Sequence, residues 1–354
     1  MKVLIIILLV LLVIILIYIL DYLITINKLK KETTSNIIIK NNTVDLNSLT
    51  LRQKIAQMII IYGNKNKNPI LTNINLGGIF IDRQKTKQDY TSLIDEYKDA
   101  SKIKLLVATD MEGVWNPFSN FKGFPKFSEI GTEKEAYNAG LEEGELMKDL
   151  GFNLNFAPVA ELRDEVYGGR AFTGSKEEIK EKLKEYISGL QKNVLGTCKH
   201  YPGKGMVKNL HLRTDKQNIT KEDLELFDVC FENNISSVMI GHQTVYGELD
   251  SKGKPGSVSK EVIGSLKGFS GLIISDEINM LGLRKYYLFN KENEYIDLIN
   301  SGENVILDFM LTPRSAYKLV LKLEKDVKEG KINENKINEN AEKILIAKGY
   351  KIKK

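Results

Sequence analysis

The chain has 354 residues, and one α/β barrel of about 250 to 300 residues would use up most of it. Its 51 Lys and Arg against 46 Asp and Glu leave a net charge of +5, a dispersed excess without the clustered cations and stacking motifs of a nucleic-acid-binding face. The two cysteines, Cys198 and Cys230, have neither zinc-type spacing nor a disulfide framework, so two buried thiols are expected and no metal site.

At the amino terminus, Val3 to Leu20 is an unbroken apolar run of eighteen residues. As a helix it reaches about 27 Å, close to the hydrocarbon thickness of a bilayer. The run ends at Ile19-Leu20-Asp21-Tyr22-Leu23 with no small-residue cleavage site, and no cysteine follows to accept a lipid. Residues 1–27 are therefore expected to form a transmembrane anchor, with a cleaved signal as the alternative. Lys28, Lys30 and Lys31 follow the run and only Lys2 precedes it, a balance that would retain the rest of the chain in the cytoplasm. A lone apolar segment at the extreme amino terminus is the usual form of an exported anchor, and the globular part is assigned to the extracytoplasmic side. Residues 28–47, rich in Lys, Asn and Thr, read as a polar tether, and 48–354 as one domain.

Eight short apolar, β-branched runs follow: Met58 to Tyr62, Gly78 to Ile81, Leu105 to Asp110, Asn153 to Pro158, Leu195 to His200, Ser237 to His242, Gly271 to Asp276 and Asn304 to Phe309. Between them lie stretches with apolar residues near helical spacing, such as Glu133 to Leu150, Lys176 to Lys192 and Lys221 to Asn233. Eight such alternations predict a (β/α)8 TIM-type barrel preceded by a transmembrane helix. An open doubly wound sheet is the alternative, without a Gly-rich phosphate fingerprint to support it. Barrel active sites form at the carboxyl ends of the strands, and Asp110, Glu161, Lys199, His200, His242 and Asp276 all fall at or just after an apolar run. The segment from Lys199 to Gly205, followed by His211, puts two cations and an imidazole into a Pro/Gly-rich loop suited to holding a ligand.

Five motifs then occur in order: Ala108-Thr109-Asp110-Met111-Glu112-Gly113, Gly151 to Val159, Arg170-Ala171-Phe172, Ser237 to His242, and Ser275-Asp276-Glu277-Ile278-Asn279-Met280. With the Lys199-His200 segment, they resemble glycoside hydrolase family 3 from about Leu49 to Lys348, and within it the single-domain β-N-acetylglucosaminidases. The resemblance implies a retaining mechanism without a cofactor, in which a carboxylate attacks the anomeric carbon and an acid protonates the leaving oxygen. It makes Asp276 the nucleophile and His211 the acid/base. Lys199, His200, Asp110 and Arg170 match residues that bind sugar hydroxyls, with Glu161 and Met280 in the same substrate-facing motifs. The chain departs from the pattern at Asn209, where an aspartate would orient the histidine, and at Lys204, Glu161 and Val114. His211 is then a slower acid/base, one rescued by another carboxylate such as Glu112 or Asp215, or a relic.

The expected activity is an exo-glycosidase removing terminal β-N-acetylglucosaminides from cell-wall muropeptide or related glycans. The alternatives are a catalytically impaired glycan-binding protein and a β-glucosidase of the same superfamily, and phosphorolysis stays open because a neutral histidine tolerates a phosphate nucleophile. The expected partners are a carbohydrate and a membrane, with no nucleic acid. Trp115, Phe118 and Phe121 either pack a loop or form a stacking platform for a second sugar.

Overall fold

The computed structural model describes residues 2–32, 37–65, 73–163, 168–203, 215–288 and 293–354. The chain begins with helix α1 (Lys2–Glu32), strands β1 (Ile39–Lys40) and β2 (Thr43–Asp45), and helix α2 (Leu51–Gln57). The barrel then builds through β3 (Ile59–Tyr62), β4 (Gly78–Phe80), α3 (Lys87–Asp99), β5 (Leu106–Thr109), α4 (Glu133–Leu150), β6 (Leu154–Asn155), α5 (Lys176–Leu190) and β7 (Thr197–Tyr201). It continues with β8 (Lys216–Ile219), α6 (Lys221–Glu232), β9 (Ser237–Ile240), β10 (Thr244–Gly247), α7 (Lys260–Gly264), β11 (Leu272–Glu277), α8 (Leu281–Arg284), α9 (Glu294–Ser301) and β12 (Val305–Asp308). Helices α10 (Pro313–Lys328) and α11 (Glu334–Ala347) and strand β13 (Lys351–Lys353) end the chain.

All eight apolar runs become strands of one parallel sheet, ordered β6-β5-β4-β3-β12-β11-β9-β7. Its two edges meet through parallel bridges from Leu154 to Leu195 and from Val159 to Lys199, which bring the sheet to a nearly closed barrel. The strands are apolar on both faces because one fills the barrel interior and the other packs under helices. Helices α2, α3, α4, α5, α6 and α10 each start with a Thr or Ser whose side chain accepts from the N3 backbone while the N3 side chain returns the bond. These reciprocal caps end the incoming loops and set where each helix begins.

The stretch 28–47 differs from a uniform tether. Helix α1 runs on to Glu32, and β1 and β2 form a small sheet with β13, in which Val44 lies opposite Ile352. The strand that holds this segment lies at the other end of the chain, so local composition does not reveal it. Helix α1 also packs along α10. The Tyr18 ring lies 4.6 Å from the Arg314 guanidinium, Asp21 pairs with Arg314 and with Lys318 (2.8 Å), and Thr25 and Leu29 are buried. The apolar side chains from Ile5 to Leu20 stand exposed.

The expectation of two free thiols is overturned: Cys198 of β7 and Cys230 of α6 form a disulfide, with Cα atoms 6.5 Å apart. Among the described residues α6 is the next helix after β7, and it packs against that strand, so two side chains 32 residues apart in sequence meet at bonding distance.

Candidate active site

The loops leaving the carboxyl ends of the strands surround a cavity of about 320 Å³. Asp110, Arg170, Lys199, His200, Asp276 and Met280 all line it. Phe80, Phe156 and Phe309 form its floor, the Phe80 ring stacking on Phe309 at 4.6 Å and on Phe156 at 6.1 Å. These rings fill the barrel beneath the polar groups and keep water away from their bases.

One wall is a chain of charges. The Lys199 ammonium meets Asp110 Oδ1 at 2.6 Å and also pairs with Glu112, whose other oxygen lies 3.6 Å from Arg170 Nη1. Burial would drive Lys199 toward neutrality, but the two carboxylates outweigh it and hold the amine above its usual range, fully charged. Burial likewise opposes ionisation of Glu112, yet Lys199 and Arg170 hold that carboxyl below its usual range. Asp110 is pushed upward, first by burial and then by the charges of Glu112 and Asp276. Two carboxylates therefore share one ammonium, and the more accessible of them, Asp110, faces the cavity. Gly113 makes the turn possible: its φ is +67°, and a Cβ there would lie 2.6 Å from the Phe127 backbone nitrogen.

On the facing side, His200 is held from behind. Its Nδ1 donates to Glu161 Oε1 at 2.9 Å, and its backbone N–H reaches the same oxygen at 3.3 Å. Glu161 thus lies behind the cavity wall and fixes the imidazole so that Nε2 points at Asp276, 4.0 Å from Oδ2. Asp276 sits near the end of β11, where its Oδ1 accepts from the Glu277 N–H at 2.8 Å. Burial acts to raise its pKa, but His200, His242, that N–H and Lys199 together depress it below the usual carboxylate range. The result is a half-buried, ionised carboxylate with one oxygen toward the cavity.

His242 occupies a different place from the other motif residues. It lies beside β11, where its Nε2 donates to the Glu277 carbonyl at 3.0 Å and its Nδ1 hydrogen-bonds with the Ser257 hydroxyl at 2.7 Å. It braces the strand end that carries Asp276 and does not line the cavity. His211 and Asn209, with Lys204, lie outside the described residues. Of the two carboxylates considered as partners for His211, Glu112 is engaged by Lys199 and Arg170, and Asp215 binds the Lys216 N–H at 2.9 Å and the Gln217 side chain.

Asp82 and Glu277 are the acidic residues of the described cavity lining to which the motif reading gave no role, and Glu112 entered that reading only as a partner for His211. Glu277 lines the cavity directly beside Asp276 because a register irregularity between Ile274 and Glu277 interrupts the alternation of β11. Its carboxyl, raised by burial, accepts from Asn279 Nδ2 at 2.6 Å and from the Phe309 N–H at 3.2 Å. Asn279 continues to Asp308 Oδ1 at 2.8 Å, tying the ends of β11 and β12 together. The aromatic trio divides: Trp115 is exposed at the cavity rim, whereas Phe118 is fully buried and Phe121 packs beside it. Among the described residues no group of His, Cys, Asp and Glu forms a metal site.

Three comparisons bear on this arrangement. Residues 50–347 match the family model described as glycosyl hydrolase family 3 N terminal domain. The beta-hexosaminidase of Photobacterium profundum is 27% identical over 241 residues, 62% of this chain and 71% of its own length, and that of Haemophilus influenzae is 27% identical over 260 residues, 68% and 71% respectively. Among solved structures, a glycoside hydrolase family 3 β-N-acetylglucosaminidase from Paenibacillus superposes with a TM-score of 0.76 at 23% identity, covering 85% of this chain and 62% of that one. A family 3 glycosyl hydrolase from Mycobacterium smegmatis gives 0.74 at 23% identity, covering 86% and 98%. A matched model over most of the chain, on a barrel whose strand ends converge on one acidic and cationic cavity, shows that the chain belongs to glycoside hydrolase family 3 and is a glycoside hydrolase acting on O-glycosyl bonds.

Proposed function

We propose that the protein is a retaining exo-glycosidase that removes terminal β-N-acetylglucosamine from cell-wall muropeptide or related glycans, with Asp276 as nucleophile and His211 as acid/base. The observation that carries this reading is the state of Asp276: a half-buried carboxylate, depressed in pKa, facing a cavity at the low end of the size range for small-molecule sites, about 300 to 1,000 Å³. Such a cavity suits one sugar ring. An ionised carboxylate at its base is the group that forms a glycosyl-enzyme bond, which water then cleaves with the acid/base residue accepting the proton.

Asp110, Lys199, His200 and Arg170 line the pocket as partners for ring hydroxyls. Each hydroxyl left unpaired on burial would cost about 1 to 3 kcal/mol, so charged partners in this density select a polyhydroxylated ligand. Glu161 supports His200 from behind, and Met280, at the amino end of α8, closes the apolar side. The acetamido preference is supported by the curated beta-hexosaminidase relatives. Helix α1 serves as a membrane anchor, and the globular part lies outside the cytoplasm, a reading supported by the Cys198–Cys230 disulfide, which persists in oxidising compartments.

The full chain in detergent, offered aryl β-N-acetylglucosaminide and aryl β-glucoside in parallel, should release the aryl group from the first and retain the anomeric configuration. Turnover of the glucoside alone assigns the β-glucosidase alternative, and binding without turnover assigns the glycan-binding alternative.

A further inference from the structure

We propose that the mouth of the barrel is itself a membrane-facing surface, so that the active-site cavity opens onto the lipid bilayer that holds α1. The inference rests on α1 being an anchor and goes beyond it by fixing which end of the barrel meets the lipid.

The direction of α1 follows from three contacts. Helix α10 follows β12 and so starts at the mouth and descends to the opposite end. Asp21 pairs with Arg314 in its first turn and with Lys318 one turn further down, and the Tyr18 ring, nearer the amino end of α1, lies over Arg314. At its other end α1 leads to β1 and β2, which pair with β13 beside Ile103 and Lys104, just before β5, at the closed end of the barrel. Helix α1 therefore runs parallel to α10. Its buried part, Thr25 and Leu29, lies against the barrel, and the apolar run ending at Leu20 leaves on the mouth side. Those eighteen residues span about 27 Å, which the hydrocarbon layer alone takes up. Asp21 and the first turn of α10 then sit at the lipid–water boundary, and the mouth loops sit with them.

The surface chemistry of the mouth points the same way. Outside α1, eight large hydrophobic side chains are exposed among the described residues, and six of them are on the segments that follow the carboxyl ends of the barrel strands: Trp115, Tyr246 of β10, Leu281 of α8, Tyr286, Leu288 and Met310. The other two, Ile38 and Ile346, are at the closed end. Tryptophan and tyrosine mixed with aliphatic side chains is the composition that settles at a bilayer interface, where the rings bury an apolar body and keep a polar atom in water. Trp115 and Met310 also line the cavity, so the lipid-facing surface is continuous with the substrate entrance. A glycan carried on a lipid, or held close to the membrane, would enter directly.

Trp115 is the single tryptophan of the chain and reports its own surroundings. The full chain is reconstituted into vesicles of phosphatidylcholine and phosphatidylglycerol, with and without a nitroxide on the acyl chain close to the headgroup. Flotation with the vesicles, loss of about half or more of the Trp115 emission to the nitroxide, and about threefold weaker quenching by iodide than in detergent support the proposal. Flotation with no nitroxide quenching and full iodide access overturns it while leaving the anchor intact. Failure to float overturns both readings. In the Arg314→Ala, Lys318→Ala double variant, flotation should persist and nitroxide quenching should fall about twofold or more, because the clamp on Asp21 is gone. Unchanged quenching there overturns the fixed orientation.

Discussion

Nε2 of His200 lies 4.0 Å from Oδ2 of Asp276, close enough to stabilise the carboxylate charge and too far to hydrogen-bond it. Oδ1 of Asp276 is taken by the Glu277 N–H, and among the described residues Oδ2 accepts no hydrogen bond. The carboxylate is thereby ionised, oriented and open on its cavity side.

Asp276→Ala should lower kcat on the order of 10³-fold or more while leaving the affinity for a product sugar within about threefold, because it removes the bond-forming atom and few hydroxyl contacts. Steady-state kinetics and calorimetric titration check both halves. A slow 2-fluoro sugar substrate should label Asp276 in the unmodified protein, and labelling of any other carboxylate overturns the assignment.

Asn209→Asp should raise kcat if His211 is the acid/base, by supplying the carboxylate that orients it. The basic limb of the pH profile should move upward, because a nearby negative charge favours the imidazolium. His211→Ala should lower activity in both backgrounds by about 10² to 10⁴, with partial recovery on adding azide or formate. Silence of both substitutions would remove this loop from the mechanism.

Reducing the Cys198–Cys230 disulfide should destabilise the barrel by about 3 to 4 kcal/mol, the loop-closure value for a 32-residue separation. Chemical denaturation of the full chain in detergent, with and without reductant, measures it. An unchanged midpoint would mean that residual structure already constrains the unfolded chain between these residues no less than the bond does.

Glu143 of α4 is buried and accepts the Tyr186 hydroxyl at 2.5 Å, and burial pushes its carboxyl up to about 8. Tyr186 also meets Asn155, which binds both backbone groups of Met111 beside Asp110 and Glu112. The folded state keeps a proton that the unfolded chain releases near 4.5, so the stability Glu143 contributes is complete at low pH and is lost as pH rises to about 8. Glu143→Gln should therefore gain on the parent between pH 5 and 8, at up to about 1.4 kcal/mol for each pH unit, and run parallel to it above that range. Thermal melts of both proteins across that interval test it, and a constant gap between them would show that Glu143 is ionised throughout.

The eight strands were legible because a strand buried on both faces must be apolar along its whole length, and eight such runs alternating with amphipathic segments leave few folds to choose from. Asp110, Lys199, His200 and Asp276 were legible because they end those runs, and a parallel barrel gathers all its strand ends at one mouth. What surrounds them was decided only by tertiary contact. The charge on Lys199 depends on Glu112 and Asp110, about 90 residues earlier. Glu161 turned out to hold His200 from behind the cavity wall, and His242 to brace a strand without lining the site. The Cys198–Cys230 bond and the pairing of β2 with β13 join segments with no local signature of one another. Hydrophobic periodicity is a property of a segment and can be read along it. The ionisation of a buried group, the partner of a cysteine and the side of the barrel from which α1 departs are properties of neighbours that folding alone brings together.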